Sequence, residues 1–297
     1  MDWKSKRVST ILESALAEDK ATRDITSALT IDPELQASAS ILTRQDCIIS
    51  GLGVIGAVFT CFNAMQTQLG HKSSRFEVIS HPEIFDGVRV KRGQIVAVIR
   101  HNAASILSCE RVILNLMQRM SGIATLTSEF VKATSSTKAK VLDTRKTIPG
   151  LRLLDKYAVC CGGGMNHRQD LEDGILIKRN HIALGGGLTQ TIERAVKGRK
   201  TSQQIEVEVR EIAEVEPALT AGADALLLVQ MTPGEVAKAV KLARKIAPAA
   251  KLEAADHLSL ETVGDYARTG VDFVSIGALT RSAISVDLSM RITSSVY

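Results

Sequence analysis

Aromatic side chains are scarce: Phe, Trp and Tyr make up 3% of the 297 residues. Platforms on which successive bases could stack are therefore not expected, which argues against single-stranded nucleic-acid binding. No block of Lys and Arg tracks a polyanion backbone either, and the net charge of +5 suits a small acidic ligand. Cysteines number five, and none forms a C-x-x-C pair. Such usage indicates reduced thiols in a cytoplasmic protein without a zinc ribbon, with the adjacent Cys160 and Cys161 read as core packing. No apolar run nears the roughly 20 residues that cross a bilayer. The opening MDWKSKRVST carries no apolar core of signal-peptide length. The expectation is a cytoplasmic protein with neither membrane nor nucleic acid as partner.

What remains is a chain of ordinary composition, 45% hydrophobic and 23% charged, long enough for one large domain or two smaller ones. From about residue 139, short apolar runs (AKVLD, ILIK, QIEVEV, ALLLV, KLEAA, FVSIGA) alternate with amphipathic stretches such as PGEVAKAVKLARKIA. Runs of four to six apolar residues followed by helical patterns indicate buried parallel strands in βα units. LTAGADALLLV and ARTGVDFVSIG echo each other, with Gly222 and Gly270 placed as left-handed helix caps. A barrel-type βα repeat puts functional groups at the carboxyl ends of its strands. The first hundred residues read as an antiparallel sheet, with DGVRVKRGQIVAVI as a hairpin-like pair. Without a low-complexity linker the parts should pack tightly. The expected domains are an N-terminal α/β sandwich (1–112), an α/β barrel (113–279), and a C-terminal segment (280–297) packing back on the first domain.

The strand ends deliver a consistent set of charges. Asp143, Arg145 and Lys146 follow the first strand, Asn166, His167 and Arg168 follow a glycine run, and Lys178 ends the second strand. Glu206 and Glu208, two residues apart, share a face of the third strand. Singly, each basic residue is more simply a solvated loop residue. Together on one rim they would repel one another unless an anion occupies the site, and guanidinium groups suit carboxylates well. The glycine triplets 162–164 and 185–187 let backbone approach a ligand or simply form loops.

The blocks ERVILNLMQRMSGIAT, DTRKTIPGLRLLDKYAVCCGGGMNHR, ILIKRNHI, IEVEV and GVDFVSIGALT, with LAEDKATRDITS near the start, resemble the quinolinate phosphoribosyltransferase family over nearly the whole chain. The resemblance implies an N-terminal α/β sandwich, an open irregular α/β barrel, and a homodimer or higher homo-oligomer with a shared site. It implies that Arg111, Arg145, His167, Arg168 and Lys178 hold a pyridine dicarboxylate, with Arg111 reaching across from a second subunit. Lys146 and Glu208 are implied to lie beside the ribosyl donor.

The donor side departs from the family pattern. Where the family ends its fourth barrel strand in LLDNM, this chain reads LLLVQM, placing Val229 and Gln230 there. Where the family has a Ser-Gly-Gly loop for the 5′-phosphate, this chain has Ala255, Asp256 and His257. An aspartate there opposes a phosphate dianion, and its side chain blocks close backbone approach. Arg179 replaces an aspartate, and Arg23 replaces the glycine before Asp24.

These departures lead to an expectation of decarboxylation of a quinolinate-type, or hydroxylated, pyridine-2,3-dicarboxylate without a phosphoribosyl donor. Lys146, His167, Glu208, Asp256 and His257 are the candidate catalytic residues. No cofactor or metal is expected; a metal role for His257 with Asp256 and Glu208 stays open, although no ligand spacing supports it strongly. The alternatives are the family's own reaction, using phosphoribosyl pyrophosphate with Mg2+, and a non-catalytic pyridine carboxylate-binding protein.

Overall fold

The computed structural model describes residues 1–256 and 258–296. The chain divides into two compact units. Unit 1 comprises Met1–Leu126, Ile148–Gly163 and Ala283–Tyr297; unit 2 comprises Thr127–Thr147 and Gly164–Ser282.

Unit 1 is built on an antiparallel sheet in the order β12-β1-β5-β3, formed by Leu288–Val296, Gln36–Thr43, Ile95–Asn102 and Glu77–Ile79. Helices Lys6–Glu18 and Leu52–Gln68 pack on each other. The first buries Val8, Leu12 and Leu16, an i, i+4, i+8 stripe of the kind that faces a core. The C-terminal strand β12 pairs along the length of β1. Close approach fixes one glycine: a Cβ at Gly122 would meet the Ile284 carbonyl oxygen at 2.1 Å.

Three expectations need correction here. The stretch DGVRVKRGQIVAVI does not form a hairpin: β4 (Arg89–Val90) pairs with β2 (Cys47–Ile48), whereas β5 pairs with β1 and β3. Gly93 makes the turn with φ 84°, but the two strands leave it for different sheets. A boundary at 112/113 falls inside the continuous 32-residue helix Ala103–Thr134, and the helix Arg152–Cys161 groups with unit 1. Arg119 there donates to both carboxylate oxygens of the buried Asp155, at 2.8 and 2.7 Å, and the Tyr157 hydroxyl donates to Asp86 at 2.6 Å. Finally, Cys160 is exposed and Cys161 half-buried, so Cys160 is not core packing.

Unit 2 carries six parallel strands in the order β6-β11-β10-β9-β8-β7: Lys140–Leu142, Phe273–Ser275, Lys251–Ala255, Ala225–Leu228, Ile205–Val209 and Ile175–Ile177. The outer strands β6 and β7 do not pair, which leaves an open α/β barrel. Strands β8 and β9 are buried at every position, as their apolar runs require. Helix Pro233–Ile246 starts at a Thr232/Glu235 capping box and buries Val236, Ala239, Val240 and Ala243. Gly222 and Gly270 take φ values of 104° and 95° at turns back into strands.

Candidate active site

The carboxyl ends of the unit 2 strands surround a cavity of about 410 Å³. Arg145, Lys146, His167, Arg168, Lys178, Glu208 and Asp256 all line it, as do Val229 and Ala255. His257 lies outside the described residues. Arg111 belongs to unit 1 and is not among the lining residues; its exposed guanidinium contacts Glu110 at 3.1 Å. Neither glycine triplet lines the cavity: Gly162 and Gly185 are the caps that end helices Arg152–Cys161 and Arg179–Leu184. The barrel's connectivity explains the convergence, since every parallel strand points its exit loop to the same rim.

Several details suit the cavity to an anion. The buried Nε of Arg145 has no hydrogen-bond partner among the described residues, and an unmet buried donor is costly unless a ligand meets it. The Arg168 guanidinium is anchored by donation to the Gly174 carbonyl at 3.0 Å, and burial, with the charge of Arg145, lowers its pKa. The aliphatic stem of Lys146 lies over Gly277, where a Cβ would stand 2.8 Å from the lysine Cδ. Asp143 is fully buried and accepts the His167 backbone N–H at 2.8 Å, which fixes the loop carrying His167 and Arg168.

Two basic residues on the rim were not anticipated, Arg210 and Arg281. Arg210 forks onto the buried Glu208, and its backbone N–H donates to Glu214 at 2.9 Å. Arg179, which stands where an acid was expected, pairs with the same Glu214 at 2.6 Å. Val229, 8% exposed, follows the end of strand β9, and Gln230 comes next with φ 56°. Asp256 also adopts a left-handed backbone, φ 77°.

The cavity floor holds an acid missed in the strand pattern. Glu253, inside β10, is 4% exposed, and burial, reinforced by the charge of Glu206, pushes its pKa up to about 8. His167 Nε2 lies 2.9 Å from Glu206 and 3.5 Å from Glu253. The ligand-type atoms of these three residues lie within 4.8 Å of one another, but the imidazole is already engaged on both nitrogens. We therefore read the group as a proton-sharing cluster. On the donor side the fit to a divalent cation is poor: the Glu208 carboxylate is held by Arg210, and Val229 has no ligand atom.

Residues 123–291 match the family model for the quinolinate phosphoribosyl transferase C-terminal domain, and residues 24–121 match that for the N-terminal domain. The chain is 38% identical over 284 residues to a probable carboxylating nicotinate-nucleotide pyrophosphorylase of Bacillus subtilis, covering 95% of this chain and 92% of the relative. It is 37% identical to the corresponding Mycobacterium leprae protein, covering 94% and 95%. Among solved structures, NadC from Streptococcus pyogenes superposes with a TM-score of 0.86 at 36% identity, covering 94% of each chain. The nicotinate-nucleotide pyrophosphorylase of Francisella tularensis gives 0.85 at 36% identity, covering 97% of this chain and 96% of that one.

Proposed function

Because the chain belongs to the quinolinate phosphoribosyltransferase family, we propose that it is an enzyme whose unit 2 cavity binds a quinolinate-type pyridine-2,3-dicarboxylate and releases one carboxylate as carbon dioxide. The observation that carries this reading is the convergence of Arg145, Arg168 and Lys178 on one cavity, with a buried Arg145 N–H awaiting an acceptor. Two carboxylates on adjacent ring carbons match several charge-assisted donors far better than one carboxylate does.

The named relatives favour the family's route, in which the ring nitrogen is first joined to a phosphoribosyl group. The quaternary nitrogen then stabilises the C2 carbanion left by carbon dioxide, and the products are nicotinate mononucleotide, carbon dioxide and pyrophosphate. Lys146 lies on the cavity wall as an electrostatic partner for that donor.

A second reading, decarboxylation without the donor, is favoured by the Glu208–Arg210 fork together with Val229 and Asp256 on the cavity wall. Protonation of the ring nitrogen, or a ring hydroxyl, would then supply the electron sink. The protein's part would be orientation and charge stabilisation.

Release of label from C2-carboxyl-labelled quinolinate, with and without phosphoribosyl pyrophosphate and Mg2+, tests both. Label release tied one-to-one to pyrophosphate supports the first route. Release without the donor supports the second, and no release under any condition, with hydroxylated analogues included, contradicts the enzyme reading.

A further inference from the structure

Glu253, on β10, lines the active-site cavity, and Glu206, on β8 with β9 between them, lines with Glu253 and His167 a second cavity of about 400 Å³. Both are nearly buried, at 8% and 4% exposure, and both approach the same imidazole nitrogen of His167, at 2.9 and 3.5 Å. The other ring nitrogen is occupied, because the Arg168 backbone N–H donates to Nδ1 at 2.7 Å. That contact assigns the neutral tautomer, with its one N–H on Nε2. Among the described residues, no lysine or arginine forms an ion pair with either carboxylate. Two ionised carboxylates around one neutral N–H would set two like charges side by side at nearly buried positions, with the Arg168 charge near Glu206 compensating only in part. One bound proton removes the conflict and supplies the missing donor.

We propose that Glu253 is held as the carboxylic acid, donates a hydrogen bond from its O–H to the Glu206 carboxylate, and thereby positions His167 while keeping a single negative charge behind the bound dicarboxylate. The role is one of positioning, through Glu206, and it rests on the dicarboxylate reading of the cavity. Burial first, and then the charge of Glu206, raise the Glu253 pKa to about 8, against the opposing pull of His167 and a hydrogen bond with Ser275. Facing Glu253 from the packed elements are Glu206 on β8, Leu227 on β9, Ser275 on β11 and the His167 loop. The charged groups sharing the active-site cavity with it are Arg145, Lys146, Arg168 and Lys178, the Glu208–Arg210 pair, Asp256 and Arg281, and Asp173 and Lys251 share the second cavity. The cations favour ionisation of Glu253 and the acids oppose it; burial decides.

Two measurements on the full chain test this. The first needs no ligand: the infrared difference spectrum between wild type and Glu253→Gln should contain a protonated carboxyl band at pH 7 that disappears above pH 9. Its absence at pH 7 overturns the proposal. The second is titration with quinolinate at pH 7 and pH 9. Wild-type affinity should fall roughly tenfold as a second charge appears behind the ligand, whereas Glu253→Gln, a permanent neutral donor, should change by less than about threefold. At pH 7 Glu253→Gln should bind within about threefold of wild type, and Glu253→Ala should bind more weakly than Glu253→Gln at both pH values because Glu206 loses its donor. Parallel falls in wild type and Glu253→Gln, or loss of binding by Glu253→Gln at pH 7, overturn the positioning role. If no form binds quinolinate, the dicarboxylate reading and the role built on it both fall. The infrared band then still decides the protonation state by itself.

Discussion

Arg210 forks onto Glu208: its Nε and one terminal nitrogen both contact Oε1, at 2.8 and 2.7 Å. Glu208 is 7% exposed, so the guanidinium compensates a carboxylate that has left water. The two residues lie on the same strand exit, i and i+2, and both line the cavity. Removing the arginine alone leaves the carboxylate buried and unpaired, whereas neutralising both ends avoids that cost. Arg210→Met should destabilise the fold by about 1–3 kcal/mol, and adding Glu208→Gln should recover part of the loss. Urea denaturation of the two single variants and the double variant measures the coupling; additive effects would show the fork contributes nothing.

Acid sensitivity should arise in unit 1. His101 is buried edge-on to Phe59, with ring centroids 4.8 Å apart, and burial lowers its pKa from 6.5 to about 4. The unfolded chain takes up this proton more readily, so the stabilising contribution is complete above pH 6.5 and is lost as pH falls through 4. Replacing His101 with Phe should flatten the fall in Tm between pH 7 and pH 4. An unaltered slope would place the acid sensitivity elsewhere.

Glu253 should act in the opposite direction. Its folded pKa near 8 exceeds the ordinary 4.5, so its contribution is complete below pH 4.5 and is lost as pH rises through 8. Glu253→Gln should therefore gain stability relative to wild type as pH is raised from 5 to 9, read as a widening Tm difference. A constant difference would mean that Glu253 titrates alike in the folded and unfolded chains.

We propose that a second copy of the chain supplies Arg111 to the cavity. Its guanidinium is exposed while its neighbours Val112, Ile113, Leu116 and Met117 are buried within the chain, so the side chain is left available on the surface. Mixing Arg111→Ala with Lys178→Ala subunits should restore part of the activity that each lacks. Free subunit exchange with no recovery would contradict the shared site.

Much of the cavity was legible because parallel strands fix where their loops emerge. Arg145, Lys146, Lys178 and Asp256 follow strand-like runs, Glu208 lies within one, His167 and Arg168 follow the glycine run 162–164, and all seven line one space. Glu253 was less legible, although an acid inside the apolar run KLEAA is itself a signal that a buried partner is needed. Arg210 and Arg281 read as solvated loop residues, since nothing local reveals that Glu208 is buried beside one of them. The false hairpin at 86–99 has a related cause. Alternation and a glycine turn identify strands, but partner choice depends on distant residues, here Cys47–Ile48 and β1.

The central claim is that this cavity recognises two adjacent carboxylates, and calorimetric titration with quinolinate and with nicotinate tests it most directly. Quinolinate should bind at least about tenfold more tightly than nicotinate, and Arg168→Ala should remove about 1.5–3 kcal/mol of the quinolinate affinity. Equal affinity for the two acids, or a full-strength quinolinate complex in Arg168→Ala, would contradict the account.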